Sequence, residues 1–287
     1  MFRATLLMMF VAVRFAVAAS RNEEADFAFI DNGEIRLGIK KSSGGSIGYL
    51  SRSGTNRNVL NHFDRGRLVQ QSYYGDRDGT FWGKQPWRWN PVQGGDYKGT
   101  GAKLLDLKME KESIYTKTLP RHWSGCVDLP EVTMEQWIQL TGALAHVRFK
   151  MTYNGTNTHS MQAQEIPALF IEPEYGLLVL YDGTKPWMNG ALTRSEPGWP
   201  NESRRMTEHW AAYMNHDGFG IGAYVPIANE LTCYRYGREG TEKGACSYFA
   251  PITRFAIKPG FVFEYEVFLT LGKTKEIRSA FSALQKR

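Results

Sequence analysis

Cysteine is scarce in this chain: Cys126, Cys233 and Cys246 are the only three among 287 residues. So few exclude a disulfide-built scaffold, and a chain of this length buries a sufficient core without one. Cys233 and Cys246 flank a Gly- and charge-rich stretch that reads as a hairpin, so a bridge there is the one pairing suggested, with Cys126 left over. No Cys-x-x-Cys pair and no His/Cys cluster at zinc spacing occurs, which argues against a structural zinc site. No motif asks for an organic cofactor, so none is expected. Long hydrophobic runs are missing too. None reaches the ~20 residues of a membrane-spanning helix, so no stable membrane insertion of the mature chain is expected. The formal net charge of +6 is scattered, with no basic run resembling a nucleic-acid arm, so nucleic acid is not an expected partner. Repeats at solenoid or propeller periods are absent.

The first residues read as a signal peptide over 1–19. Arg3 supplies the positive end, residues 5–17 are mostly apolar, and Ala16-Val17-Ala18-Ala19 offers small residues for cleavage. Arg14 interrupts the apolar stretch and keeps an uncleaved anchor as the competing reading. The expectation is a secreted or periplasmic protein whose fold begins near Ser20, with 20–287 forming a single β-sandwich domain. Asn154-Gly155-Thr156 and Asn201-Glu202-Ser203 fit the glycosylation sequon, which matters only in a eukaryotic host.

What the chain has in quantity is aromatic rings: 8 Trp, 14 Tyr and 16 Phe, among 29 Gly. They concentrate over residues 70–90. Gln70-Gln71-Ser72-Tyr73-Tyr74-Gly75 is followed by Phe81-Trp82-Gly83 and by Trp87-Arg88-Trp89-Asn90. Rings mixed with Arg, Asn and Gln suit a saccharide cleft. Pyranose C–H faces stack on indole and phenol, and the hydroxyl rims need paired donors and acceptors. The competing reading is that several of these rings are plain sandwich core.

Strand patterning recurs along the chain. Residues 34–40 alternate polar and apolar, as do 133–140 and 145–151, joined by a hairpin turn at Thr141-Gly142-Ala143. Segments 177–181, 219–225 and 261–269 read the same way. The one good helix is 274–286, with Thr274 as N-cap and Ile277, Phe281 and Leu284 at helical spacing. Many strands with little helix predict packed antiparallel sheets, an all-β fold.

Gly44-Gly45-Ser46-Ile47-Gly48-Tyr49-Leu50, Arg57-Asn58-Val59-Leu60-Asn61, and Asp64-Arg65-Gly66-Arg67 leading into Gln70-Gln71-Ser72 carry a layout that resembles the galactose-mutarotase-like superfamily. Met134-Glu135-Gln136-Trp137-Ile138, Phe219-Gly220-Ile221-Gly222-Ala223-Tyr224 and Tyr265-Glu266-Val267-Phe268-Leu269 complete it. The resemblance implies a large antiparallel supersandwich that acts on sugars. Within that superfamily the epimerases pair a His with a late-chain Glu. Here Gln93-Gly94-Gly95 stands where a His-Gly-Gly is expected, which weighs against mutarotation.

Candidate chemistry comes from four segments. His159-Ser160-Met161-Gln162-Ala163-Gln164-Glu165, if extended, places His159 and Glu165 on one face. Glu208-His209-Trp210 offers His209 as a base between an acid and an indole. Arg121-His122-Trp123 lies in a Pro- and Gly-flanked loop. Arg67, Gln71 and Tyr73 share a strand face by alternation. The expected catalytic set is Glu165, His209, Tyr73 and His159. The expected saccharide-binding set is Arg67, Gln71, Tyr74, Trp82, Trp87, Trp89 and Asn90, with Arg121, His122 and Trp123. Competing readings are an exposed edge for the 159–165 segment, core packing for His209, and a polar inter-sheet patch for Gln71 and Tyr73.

These residues point to a carbohydrate-active enzyme on a polysaccharide or oligosaccharide, a glycoside hydrolase or polysaccharide lyase. The alternatives are a non-catalytic carbohydrate-binding module and an aldose 1-epimerase-like isomerase. The enzyme reading expects Glu165, His209 and the Tyr73/Trp89 region to converge on one concave face. The module reading expects the rings on a flat face without a nearby carboxyl.

Overall fold

The computed structural model describes residues 25–286; the leader expected over 1–19 lies outside them. The chain folds as two large antiparallel sheets packed face to face, with a two-stranded hairpin beside them. The first sheet runs in the order Phe27–Asp31, Ile35–Lys40, Ser46–Arg52, Val69–Ser72, His159–Ile171, Cys246–Ile257, Glu230–Tyr236, Glu202–Arg205. Short strands Pro91–Val92 and Arg121–His122 attach beside Val69–Ser72. The second sheet runs Thr193–Ser195, Leu177–Leu180, Trp210–Met214, Phe219–Tyr224, Val262–Lys273, Leu144–Tyr153, Val132–Thr141, Ser113–Leu119, Lys103–Met109.

Period-two patterning explains the pairing of these faces. Leu144–Tyr153 buries every second residue, so Val147, Phe149 and Met151 enter the shared core with Tyr265, Val267 and Leu269 from the neighbouring strand. Leu37, Ile47, Val69, Leu169 and Phe249 meet them from the first sheet. One apolar cluster therefore spans both sheets. The Gly142-Ala143 turn closes its hairpin with Gly142 at φ 55°, in the left-handed region.

The C-terminal helix runs Thr274–Gln285 and lies on the outer face of the second sheet, burying Ile277 and Phe281 against Trp210, Met214 and Tyr224. Its N-cap is Lys273 rather than Thr274, and the Glu276 carboxylate accepts the Lys273 backbone N–H at 2.7 Å.

The three cysteines are free. The hairpin between Glu230–Tyr236 and Cys246–Ile257 forms, but its register puts Cys233 opposite Phe249 and Cys246 opposite Tyr236. Three residues along a strand is roughly 10 Å, beyond the Cα separation a disulfide allows. The expected Cys233–Cys246 bridge is excluded by that register.

Candidate functional site

The face of the first sheet turned away from the shared core carries a cleft of about 790 Å³. Its floor comes from Val69–Ser72, His159–Ile171, Cys246–Ile257 and Glu230–Tyr236. Alternation aims Gln70, Ser72 and then Tyr74 into the cleft, while Val69, Gln71 and Tyr73 face the core.

Polar side chains pin this floor. The buried Gln70 amide donates to the Gly66 carbonyl at 2.6 Å and its oxygen accepts the Gly94 N–H at 2.6 Å. Gln164 does the same for Tyr74, accepting its N–H at 2.7 Å and donating to its carbonyl at 2.9 Å.

Aromatic groups rise on both flanks. On one side Trp82 packs edge-on against Trp87 and Trp123, with ring centroids 4.9 and 5.7 Å away, and Tyr97 lies beyond Trp123. Trp82 and Trp87 sit on the hairpin Arg77–Trp82/Gln85–Arg88. Trp123 lies over Gly66, where a Cβ would come within 2.6 Å of the indole; that close approach needs glycine. On the other side Trp199 packs edge-on against Tyr234 and Tyr236.

Glu165 stands on the floor between these flanks. The Tyr74 hydroxyl donates to its Oε2 at 2.9 Å, and the Tyr248 phenol lies beside the carboxyl. Burial pushes the Glu165 pKa above the usual carboxylate value, against the phenols of Tyr248 and Tyr74 and the charge of Arg88. Tyr74 and Tyr248 are both pushed well above an ordinary phenol, first by burial and then by Glu165. The other carboxylates of the cleft are ion-paired: Asp64 with Arg67, Glu230 with Arg254.

The structure brings Glu165, Arg67, Tyr74, Trp82, Trp87, Asn90 and Trp123 together in the cleft. The rest of the predicted set lies elsewhere. Gln71 and Tyr73 are buried between the sheets, where the Tyr73 hydroxyl donates to Gln71 Oε1 at 2.9 Å. They do not share a face with Arg67 because the strand begins only at Val69 and Arg67 precedes it in a bend. Trp89 is core, stacked on His159 with centroids 4.3 Å apart.

His159 and Glu165 do not share a face either. A β-bulge between His159 and Gln162 shifts the alternation, so His159 turns inward while Glu165 reaches the cleft. His209 precedes Trp210–Met214 of the second sheet at φ 59°, its Nδ1 2.8 Å from the Ala228 carbonyl. Its neighbour Glu208 is buried against Arg278 of the helix. Arg121 is held by Asp96 and Asp128, and His122 by Asp78; neither lines the cleft.

Sequence reasoning missed Tyr97, Trp199, Tyr234 and Tyr248, and left Gln70 and Arg88 out of the binding set although they lie in the aromatic cluster. Tyr234, Tyr236 and Tyr248 carry period-two signals, but Pro251 within Cys246–Ile257 disguises that strand. Among the described residues no histidine lines the cleft, and no three His, Cys, Asp or Glu side chains gather as a metal-binding set.

No protein-family model matches the chain, and no curated protein matches its sequence. Solved structures do share its architecture. A galactose mutarotase-like protein from Lactobacillus casei superposes with a TM-score of 0.58 at 12% identity, covering 86% of this chain and 100% of its own. A galactose mutarotase related enzyme from Lactobacillus acidophilus gives 0.56 at 12%, covering 86% and 98%. The α-galactosidase from Lactobacillus brevis gives 0.51 at 9%, covering 88% of this chain and 40% of that larger one. At such identities the likeness reports architecture alone, and on that evidence the chain has the galactose-mutarotase-like supersandwich fold.

Proposed function

We propose that the cleft binds an oligosaccharide or polysaccharide segment, and that Glu165 acts on it by proton transfer, as in a glycoside hydrolase or polysaccharide lyase. One observation carries the reading. Between flanks of tryptophan and tyrosine lies the one carboxyl among the described cleft residues that no arginine neutralises in an ion pair, held by the Tyr74 phenol and raised by burial. A carboxyl raised above the usual value holds its proton to higher pH than an ordinary one and can protonate a leaving oxygen, and after ionising it can accept a proton. Tyr74 and Tyr248, raised further, serve as donors rather than bases.

Hydrolysis needs a second carboxyl across the sugar, and Asp64 or Glu230 would fill that role only once released from its arginine. Elimination needs a cation beside a uronate, and Arg88 stands near Glu165. The epimerase reading is disfavoured because no histidine lines the cleft among the described residues. With the leader expected over 1–19, the activity is exercised outside the cytoplasm. The binding-module reading is favoured by one feature: the Tyr74 hydroxyl already donates to Glu165.

A glycan panel followed by product analysis tests the proposal. Hydrolysis yields a new reducing end; elimination yields an unsaturated uronate that absorbs in the ultraviolet. Glu165→Gln should lower kcat by roughly 10²–10⁴-fold, the usual worth of a positioned acid or base, with saccharide affinity nearly unchanged. Trp87→Ala, a half-buried ring, should weaken binding at little cost in thermal stability. Full turnover in Glu165→Gln sinks the catalytic assignment. Saccharide binding by the wild type with no product from any bound glycan makes it a binding module.

A further inference from the structure

We propose that the saccharide taken by this cleft is anionic, and that Arg88 is the residue that recognises its carboxylate or sulfate group. The inference rests on the saccharide reading above and names its substrate class. Among the described residues three arginines line the cleft, and two are already spent: Arg67 pairs with Asp64 and Arg254 with Glu230. Arg88 makes no ion pair among the described residues. The one side-chain hydrogen bond it makes among the described residues runs from Nη1 to Gln162 Oε1 at 3.5 Å, the outer limit for such a contact. A guanidinium carries five N–H donors in a planar fork, so most of the Arg88 fork is left for a ligand. The carbon at its centre lies 5.5 Å from the Tyr74 ring centroid and 6.0 Å from that of Trp87. Rings that flank a guanidinium hold it in place while its edge donors remain available.

A second, independent observation comes from the hairpin. In its register Arg77 stands directly opposite Arg88. Like charges in that position repel across an antiparallel pair, and Arg77 is exposed and forms no ion pair among the described residues. The sequence thus keeps an unfavourable arginine pair of which one member, Arg88, lines the aromatic cleft, an arrangement that an anion would relieve. Glu165 does not relieve it. No ion pair joins it to Arg88, and burial raises its pKa despite the arginine's field. The guanidinium fork fits a planar carboxylate in two parallel hydrogen bonds, and a sulfate ester offers the same pair of oxygens.

The experiment is calorimetric titration of the protein with four probes of equal length. They are an oligouronide, the same oligouronide with its carboxyl groups reduced to primary alcohols, a sulfated oligosaccharide and a neutral oligosaccharide. The anionic probes should bind, and carboxyl reduction should weaken binding by roughly 10- to 100-fold, as expected on losing a charge-assisted pair. Preference between the oligouronide and the sulfated probe identifies the anionic group. Arg88→Gln should reproduce the loss for the anionic probe, leave any neutral binding unchanged and retain the wild-type melting temperature. Arg88→Lys should restore only part, because an ammonium is a point charge without the fork.

Neutral and reduced probes binding as tightly as the acidic ones would overturn the anionic proposal while leaving a saccharide cleft. Equal losses in Arg77→Gln and Arg88→Gln would reduce the effect to net charge and overturn the assignment to Arg88. No binding of any probe, by wild type or variants, removes the saccharide reading and this inference with it.

Discussion

Single carboxyls decide most of what this molecule can do with a proton. Glu165 has its role in the cleft; Glu172, a few residues on, shows the same physics without a ligand. Burial, and then the neighbouring charge of Glu174, push Glu172 up to about 7 from an ordinary 4.5, against a hydrogen bond from Asn61. A carboxyl whose folded pKa is raised binds its proton more tightly in the folded state. Its stabilising effect is complete below the unfolded value and is lost as pH rises through the folded one. Melting temperatures of wild type and Glu172→Gln should therefore coincide below about pH 4.5, diverge between there and about pH 7 with the variant becoming the more stable, and keep a constant gap above it. Parallel curves over that range would show that Glu172 is not perturbed. The sequence displayed the cleft residues unevenly for a reason visible in neighbours. Tyr73 and Tyr74 look equivalent as composition, yet one side of the extended chain is core and the other is cleft; Trp87 and Trp89 part because the hairpin strand ends at Arg88 and Trp89 turns into the core. Glu165 could be chosen from its polar surroundings. Arg88 stood in the same aromatic string, but its missing partner is a property of three-dimensional neighbours.

At the scale of elements, the hairpin Arg77–Trp82/Gln85–Arg88 matters most, because it carries Trp82, Trp87 and Arg88 but belongs to neither large sheet. Side chains tie it down instead. Gly125 N–H donates to His122 Nδ1 at 3.0 Å, which leaves Nε2–H to donate to Asp78. Thr80 and Ser124 hydroxyls meet 2.6 Å apart beside that contact. These bonds join the hairpin to the loop bearing Trp123 and fix the three indoles as one wall. Asp78→Ala should raise hydrogen exchange in residues 77–88 and weaken saccharide binding several-fold, with only a small change in melting temperature, since the hairpin adds little to the core. Unchanged exchange there would mean the strands hold themselves. The regular strands were readable because they alternate without interruption: expected 133–140 and 145–151 became Val132–Thr141 and Leu144–Tyr153. His159–Ile171 was not, since bulges break its period twice and Pro167 lies inside it. The helix was legible from its spacing, while its cap moved one residue because the Glu276 carboxylate, rather than the Thr274 hydroxyl, meets the first N–H.

Across the whole molecule, the placement of the cleft separates binding from stability. The main apolar cluster is fed by inner faces of both large sheets, so the two sheets share their principal core. The cleft lies on the opposite face of the first sheet, over a small apolar patch of Ala168, Tyr248 and Ala250. Two consequences follow for measurement. First, the sheets should unfold together: far-ultraviolet circular dichroism and tryptophan fluorescence should trace one coincident transition, and separated midpoints would mean the sheets are independent units. Second, substitutions in the two places should differ in kind. Phe149 is fully buried and stacked on Tyr265 with centroids 5.3 Å apart. Phe149→Ala should cost about 3–5 kcal/mol, the range for truncating a buried ring. Excess ligand cannot repair a core cavity, but it does shift the equilibrium: at a hundred times Kd any saccharide bound only by the folded state adds about 2.7 kcal/mol. Wild type and Phe149→Ala should gain that same increment, because the cavity lies on the far side of the sheet from the ligand and the two effects are additive at that separation. A markedly smaller gain in the variant would mean that the inner packing shapes the cleft, and that the sheet transmits strain from one face to the other.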